Sequence, residues 1–275
     1  MKQYPLWLWF LLTLLVSACK PDSTELIDSY TMDKKTSEDF LLVSQARIFF
    51  GHQSVGNNII TGIKEMQEKT DNHRIRLIEL GDEAKYPQSF LLQSKIGENT
   101  DPKSKCDDFR RIIDQQLAGK IDYALLKFCY IDIDEHSDVE AIFAHYKETL
   151  DTLKARNPDI TFIHVTSPLR HSPTNFGVWI REILGRRNRS KLANIKRNEF
   201  NELLRFTYSG DPIFDLAASE STYPDGRRES FQKDGKTYHS LIGLYTDDGG
   251  HLNQTGQLKV AADFLHSIAA AIRAH

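Results

Sequence analysis

Ser54 stands in the run Arg47-Ile48-Phe49-Phe50-Gly51-His52-Gln53-Ser54-Val55-Gly56-Asn57-Asn58-Ile59-Ile60. An apolar stretch ends in a glycine, three polar residues follow, and a second glycine precedes an apolar continuation. That pattern reads as a buried strand, a sharp turn and the start of a helix. A serine presented in the crevice beyond a strand's carboxyl end is a nucleophile if a base reaches it. Of the ten histidines, His251 has the surroundings a base needs. In Tyr245-Thr246-Asp247-Asp248-Gly249-Gly250-His251-Leu252-Asn253-Gln254-Thr255-Gly256, two carboxylates precede it on a glycine-rich loop. Asp248 folded back onto Nδ1 would set the tautomer and leave Nε2 free to accept a serine proton. The competing reading is a helix-capping loop with an incidental histidine, and local chemistry does not separate the two. His164 lies within a strand as a core or rim residue, and His266 and His275 belong to the last helix and the tail.

The elements that must position these groups alternate regularly. Strands are expected over Ala46–Phe50, Arg74–Leu80, Asp122–Phe128, Ile160–Thr166 and Pro212–Leu216. Helices are expected over Asn57–Glu68, Asp107–Leu117, Val139–Ala155, Asn198–Tyr208 and Thr255–Ala274. Alternation of this kind argues for a mainly parallel sheet covered on both faces. A long polar connection carries Gly81, Tyr86-Pro87 and Ile96-Gly97-Glu98-Asn99-Thr100; connections of this length are commonly functional. Ser137-x-x-Glu140 has the form of a capping box, and Asp234-Gly235 is a hairpin turn at the rim. Asp132, Asp134, Glu135 and His136 could be imagined around a metal, but the start of a helix and solvation account for them. The basic residues from Arg181 to Arg197 are either a solvated face or a contact for anionic lipid or polysaccharide.

A serine after the first strand, with Asp-x-x-His just before the last helix, resembles the SGNH/GDSL hydrolases. The resemblance extends over Ala46 to Ala274, and Leu252-Asn253 and Gly256 follow the histidine as that block requires. It implies a three-layer α/β/α sandwich with a mainly parallel sheet of about five strands, spanning residues 38–275. It implies Ser54 as nucleophile, His251 as base and Asp248 as its orienting acid, with no cofactor and no metal. The oxyanion hole would be the backbone N–H groups of Ser54 and Gly97, with Asn99 as a side-chain donor. Two departures stand out. Gly51-His52-Gln53-Ser54 replaces the Gly-Asp-Ser of the family name, and Phe128-Cys129-Tyr130 stands where an oxyanion asparagine is expected. Either Asn99 or Asn57 takes that role, or the hole is poorer by a donor whose loss costs about 100- to 1,000-fold in turnover.

At 275 residues, with 40% hydrophobic and 27% charged residues, the chain has an ordinary globular composition, and a net charge of −3 gives no argument for nucleic acid. Lys2, the apolar run Pro5–Val16 and Ser17-Ala18 have the layout of a secretory signal. Val16-Ser17-Ala18-Cys19 resembles a bacterial lipobox, so residues 1–18 read as a signal peptide, Cys19 as the lipidated residue and 19–37 as a tether. A short membrane anchor is the other reading, although the run is shorter than the roughly 20 residues that span a bilayer. The expected location is the cell envelope, on the outer membrane or the periplasmic face, with membrane contact through the lipid. Cys106 and Cys129 could form a disulfide or stay reduced. The expected substrate is a small-molecule or polysaccharide acyl ester, an acetylated carbohydrate first among them. An O-acetyltransferase would use the same residues, and a surface-tethered binding protein that had lost activity is the reading from another class.

Overall fold

In a computed structural model, residues 34–69, 74–81, 88–173 and 188–274 are described. Strand β1, Arg47–His52, is buried along nearly its whole length and occupies an interior position in the sheet. Residues on alternate sides of a strand face opposite layers. Ile48 and Phe50 enter one core and Phe49 the other.

The sheet contains β2 (Leu77–Glu79), β3 (Phe90–Lys95), β4 (Tyr123–Leu126), β5 (Thr161–Val165) and β6 (Ile213–Phe214), in the spatial order β2-β3-β1-β4-β5-β6. Every recorded pairing within it is parallel. A separate antiparallel hairpin, β7 (Ser230–Lys233) and β8 (Lys236–His239), turns at Asp234-Gly235 as expected. The sheet therefore has six strands rather than about five. The missed strand is β3, which lies inside the stretch read as a polar connection. Phe90, Leu91 and Leu92 are buried, but Gln93 and Ser94 are half-buried and Lys95 is exposed, and their polarity disguised the strand.

Helices α1 (Lys34–Ser44), α2 (Ser54–Glu68) and α7 (Gln254–Ala274) cover one face, and α3 (Pro102–Ile112), α4 (Val139–Arg156) and α5 (Arg189–Thr207) cover the other. Short α6 spans Leu216–Ser221. This is the three-layer arrangement the resemblance implied. Helix α1 starts inside the stretch assigned to the tether and is held to α7 by Asp39, which accepts from Arg273 and bonds His266. Asp138, not Ser137, caps α4 by accepting from Ala141 N–H. Helix α5 takes in Arg189, Lys191, Lys196 and Arg197 of the basic segment; Arg181, Arg186 and Arg187 lie outside the described residues, as do Cys19 and the stretch expected to be a signal peptide.

The helix that follows β1 packs on one face and the helix that follows β4 on the other. The chain therefore diverges between the carboxyl ends of these neighbouring strands, which is where a parallel sheet opens a crevice. Ser54 lies at that opening.

Candidate active site

Ser54 is the first residue of α2, and Gln53 is the N-cap. The side chain of Gln53 does not cap the helix. Its Nε2 donates to Ile96 O at 2.9 Å and Gly97 O at 3.0 Å, which pins the loop after β3 beside the serine. The N–H groups of Gly56 and Asn57 both bond Gln53 O. The N–H groups of Ser54 and Val55 remain among the helix-end donors that lack an intrahelical partner. His52 is buried, and burial lowers its pKa to about 4, so its ring is neutral. Nδ1–H donates to Gln53 O at 3.0 Å, and Nε2 meets the Gln93 side-chain amide at 3.0 Å. Since a neutral ring carries one N–H, the NH2 end of that amide must face Nε2. Gly56 is required here: a Cβ would sit 2.3 Å from the His52 ring. His52 and Gln53, which stand where the resemblance expected the family motif, are thus the braces of the turn that presents Ser54.

The loop before α7 delivers the imidazole. Asp248 Oδ2 lies 2.6 Å from His251 Nδ1, and Oδ1 accepts the N–H groups of Gly250 and His251, each at 2.8 Å. The histidine bond, followed by these backbone donors, holds the Asp248 carboxyl well below the usual carboxylate range. An ionised Asp248 favours the tautomer with its proton on Nδ1 and a lone pair on Nε2. The next N–H in the chain, that of Leu252, donates to Asn58 Oδ1 at 3.1 Å. This joins the histidine loop to the first turn of α2, the turn that starts with Ser54.

Ser54 Oγ and His251 Nε2 are not hydrogen-bonded. Ser54 Oγ has Cys129 Sγ at 4.0 Å, and Nε2 has the Tyr130 hydroxyl at 3.4 Å. Tyr130 packs edge-on against the imidazole and leaves no room for a side chain at Gly250, where a Cβ would fall 2.7 Å from the phenol carbon Cζ. Burial, above other causes, raises the Tyr130 pKa, so its hydroxyl is a neutral donor. Cys129 and Tyr130 follow β4, the position at which the resemblance expected an asparagine.

The expected oxyanion donors fare differently. Gly97 N–H donates to Asp108 Oδ2 at 3.1 Å and is therefore committed elsewhere. Asn99 is exposed, and its Oδ1 accepts from Lys105 Nζ at 3.1 Å, which leaves its NH2 group open. Asn57 is exposed on α2. Cys106 and Cys129 are buried free thiols, not a disulfide, and burial pushes the Cys106 thiol well up.

Below the site lies a fully buried ion pair, Lys105 Nζ to Asp132 Oδ2 at 2.6 Å. Asp132 also accepts Cys129 N–H at 2.6 Å and Thr100 N–H at 3.0 Å, so one carboxylate clamps the loop after β3 to the end of β4. Asp134 instead accepts His136 N–H and the Ser137 hydroxyl in the turn before α4. Among the described residues no group of three His, Cys, Asp or Glu side chains is placed to hold a metal ion. Tyr130 and Asn58 were missed by the sequence reading as site residues; Asp132 was seen, but only in a cluster put down to the start of a helix and solvation, whereas it clamps two loops. His164 is a core residue, bonded to Tyr146 and stacked on Tyr208.

No family model matches the chain, and no curated protein matches it. Solved structures do. A lipase/acylhydrolase from Enterococcus faecalis is 15% identical, with 82% of this chain and 96% of that one covered and a TM-score of 0.45. A lipolytic protein of the G-D-S-L family from Desulfitobacterium hafniense is 13% identical, with 81% and 99% covered and a TM-score of 0.44. The periplasmic domain of a Salmonella ser. Paratyphi A lipopolysaccharide acetyltransferase is 12% identical, with 91% and 98% covered and a TM-score of 0.42. At these scores the likenesses are distant ones of overall arrangement.

Proposed function

We propose that the chain is a serine ester hydrolase of the SGNH type that works through an acyl-enzyme. The observation that carries the reading is the Asp248–His251 pair at 2.6 Å, whose loop is tied by Asn58 to the turn that presents Ser54. Ser54 Oγ attacks the ester carbonyl while its proton passes to His251 Nε2. For that transfer the Tyr130 hydroxyl must leave the lone pair it now faces, and substrate entering between them displaces it. Catalytic hydrogen bonds often tighten only in the substrate complex. The oxyanion is met by Ser54 N–H and by the displaced Tyr130 hydroxyl, which takes the side-chain role an asparagine has in the family. His251 then protonates the departing alcohol, and water, deprotonated by the same histidine, releases the acid.

The substrate proposed is an O-acyl, foremost O-acetyl, ester of carbohydrate in the cell envelope, reached by a protein anchored through lipid on Cys19. Transfer of the acyl group to a sugar hydroxyl would use the same steps with that hydroxyl in place of water. A tethered binding protein is favoured by one specific observation, the commitment of Gly97 N–H to Asp108. The deciding experiment is cleavage of p-nitrophenyl acetate by the soluble domain beside Ser54→Ala and His251→Ala. Catalysis predicts a loss of at least about 1,000-fold in each variant. Equal rates in all three proteins would sink the assignment and leave the binding reading. For the anchor, Cys19→Ala should release the protein from membranes, and unchanged retention would count against lipidation.

A further inference from the structure

Beyond the carboxyl end of β5, next to β4 in the sheet, the chain runs through Thr166-Ser167-Pro168-Leu169 to Arg170. Its backbone is locked on both sides, since Arg170 N–H donates to Asn194 Oδ1 at 3.0 Å and Arg170 O accepts from Asn194 Nδ2 at 2.6 Å. The side chain reaches the histidine loop, where Nε donates to Gly249 O at 3.3 Å and the guanidinium lies 5.3 Å from the Tyr130 ring centroid. Neither Nη group has a hydrogen-bond partner among the described residues, and no carboxylate there is within ion-pair reach. Behind it Arg197 is buried, and its Nε donates to Tyr130 O at 2.7 Å and its Nη1 to Asn194 Oδ1 at 2.8 Å, again with no ion pair among the described residues. The nearby acid, Asp248, spends both oxygens on its own loop. The buried carboxyl on this side, Glu220, is pushed up to about 8 by burial and is mostly uncharged at neutral pH. Two arginines thus flank Tyr130 with no carboxylate in direct contact among the described residues.

We infer that Arg170 is a specificity-determining residue that binds a carboxylate carried on the alcohol part of the ester, so that the preferred substrate is an O-acyl ester of an acidic carbohydrate. This rests on the hydrolase reading above. A planar guanidinium held from its Nε side presents its two Nη groups as a fork matched to a carboxylate. Its place beside Tyr130 puts that fork at the rim of the reacting centre, and buried Arg197 braces Tyr130 O from behind.

The test compares 4-acetoxybenzoate with its neutral methyl ester, methyl 4-acetoxybenzoate, in the wild type, Arg170→Gln and Arg170→Lys. The expected result is a ratio of kcat/KM, acid over methyl ester, that falls about tenfold or more in Arg170→Gln, mainly through KM, and recovers in part in Arg170→Lys. A charge-assisted hydrogen-bonded contact of roughly 1.5–3 kcal/mol corresponds to at least that change. Raising salt should lower turnover of the acid, but not of the methyl ester, in the two enzymes that retain the positive charge. An unchanged ratio, or an equal loss on both esters, overturns the proposal. If neither ester is cleaved faster than by Ser54→Ala, the hydrolase reading has failed. The anion site is then read by calorimetry with 4-hydroxybenzoate, where binding lost in Arg170→Gln upholds it and equal or absent binding refutes it.

Discussion

At the scale of single residues, the pair Asp248–His251 and the hydroxyl of Tyr130 decide what the site can do. Asp248 has no other function in the geometry than to order its own loop and to hold the Nδ1 proton. Asp248→Asn keeps the shape but lets the ring present Nε2–H in place of a lone pair. The expected loss in kcat is on the order of 1,000- to 10,000-fold with KM little changed, measured by steady-state ester hydrolysis. Tyr130 can act in two opposite ways. If its hydroxyl only competes for Nε2, Tyr130→Phe speeds the enzyme; if it meets the oxyanion, the same change lowers kcat by about 100-fold. The second outcome is expected here, because its neutral O–H is the side-chain donor that the chain places beside the histidine.

Among the elements, the carboxyl ends of β1, β3 and β4 are held together by side chains whose partners are distant in the chain. Gln53 fastens the loop after β3 to the turn that presents Ser54, and Asp132 fastens that same loop to the end of β4. Lys105 neutralises Asp132 where neither is exposed. Removing one member of a buried pair strands the other charge and costs about 3–5 kcal/mol, so Lys105→Met should lower the unfolding free energy in urea by that amount. It should also loosen Cys129-Tyr130 and reduce turnover, an effect that a surface pair such as Lys147–Asp151, worth well under 1 kcal/mol, would not have. The six-residue strand β3 belongs to this scale too. Its polar carboxyl-end half reads as loop in one dimension and as a paired strand beside Phe50, Gly51 and His52 once the sheet is formed.

For the whole molecule, the two buried histidines contribute to its sensitivity to acid. His52 is lowered to about 4 and His164 to about 3, both chiefly by burial. An unfolded histidine titrates near 6.5, so between these values the unfolded chain binds protons that the folded chain refuses. Their contribution is present in full above about pH 6.5 and is lost as pH falls through 4 and then 3. His52 alone contributes about 3 kcal/mol by this linkage. Urea midpoints should therefore drop between pH 7 and pH 4, and imidazole resonances of both residues should stay in the neutral position at pH 5.5 by NMR. A His52 resonance that titrates near 6.5 would contradict its burial.

Local order was legible in the chain. The strand, turn and helix around Ser54, the Asp-x-x-His spacing and the strand–helix alternation all follow from periodicities of two and 3.6 residues and from short turns, which a linear reading captures. Register and long-range partners were not. Leu252 finds Asn58 across 194 positions, and Tyr130 meets His251 across 121. Gly97 looked like a free backbone donor until the fold brought Asp108 to it at 3.1 Å, and Arg170 was one basic residue among many until the sheet set it beside Tyr130. The sequence by itself determined which groups could react. Tertiary structure decided which donors remain free to serve them, because a hydrogen bond depends on where a partner comes to rest, and that is set by packing across the whole sheet.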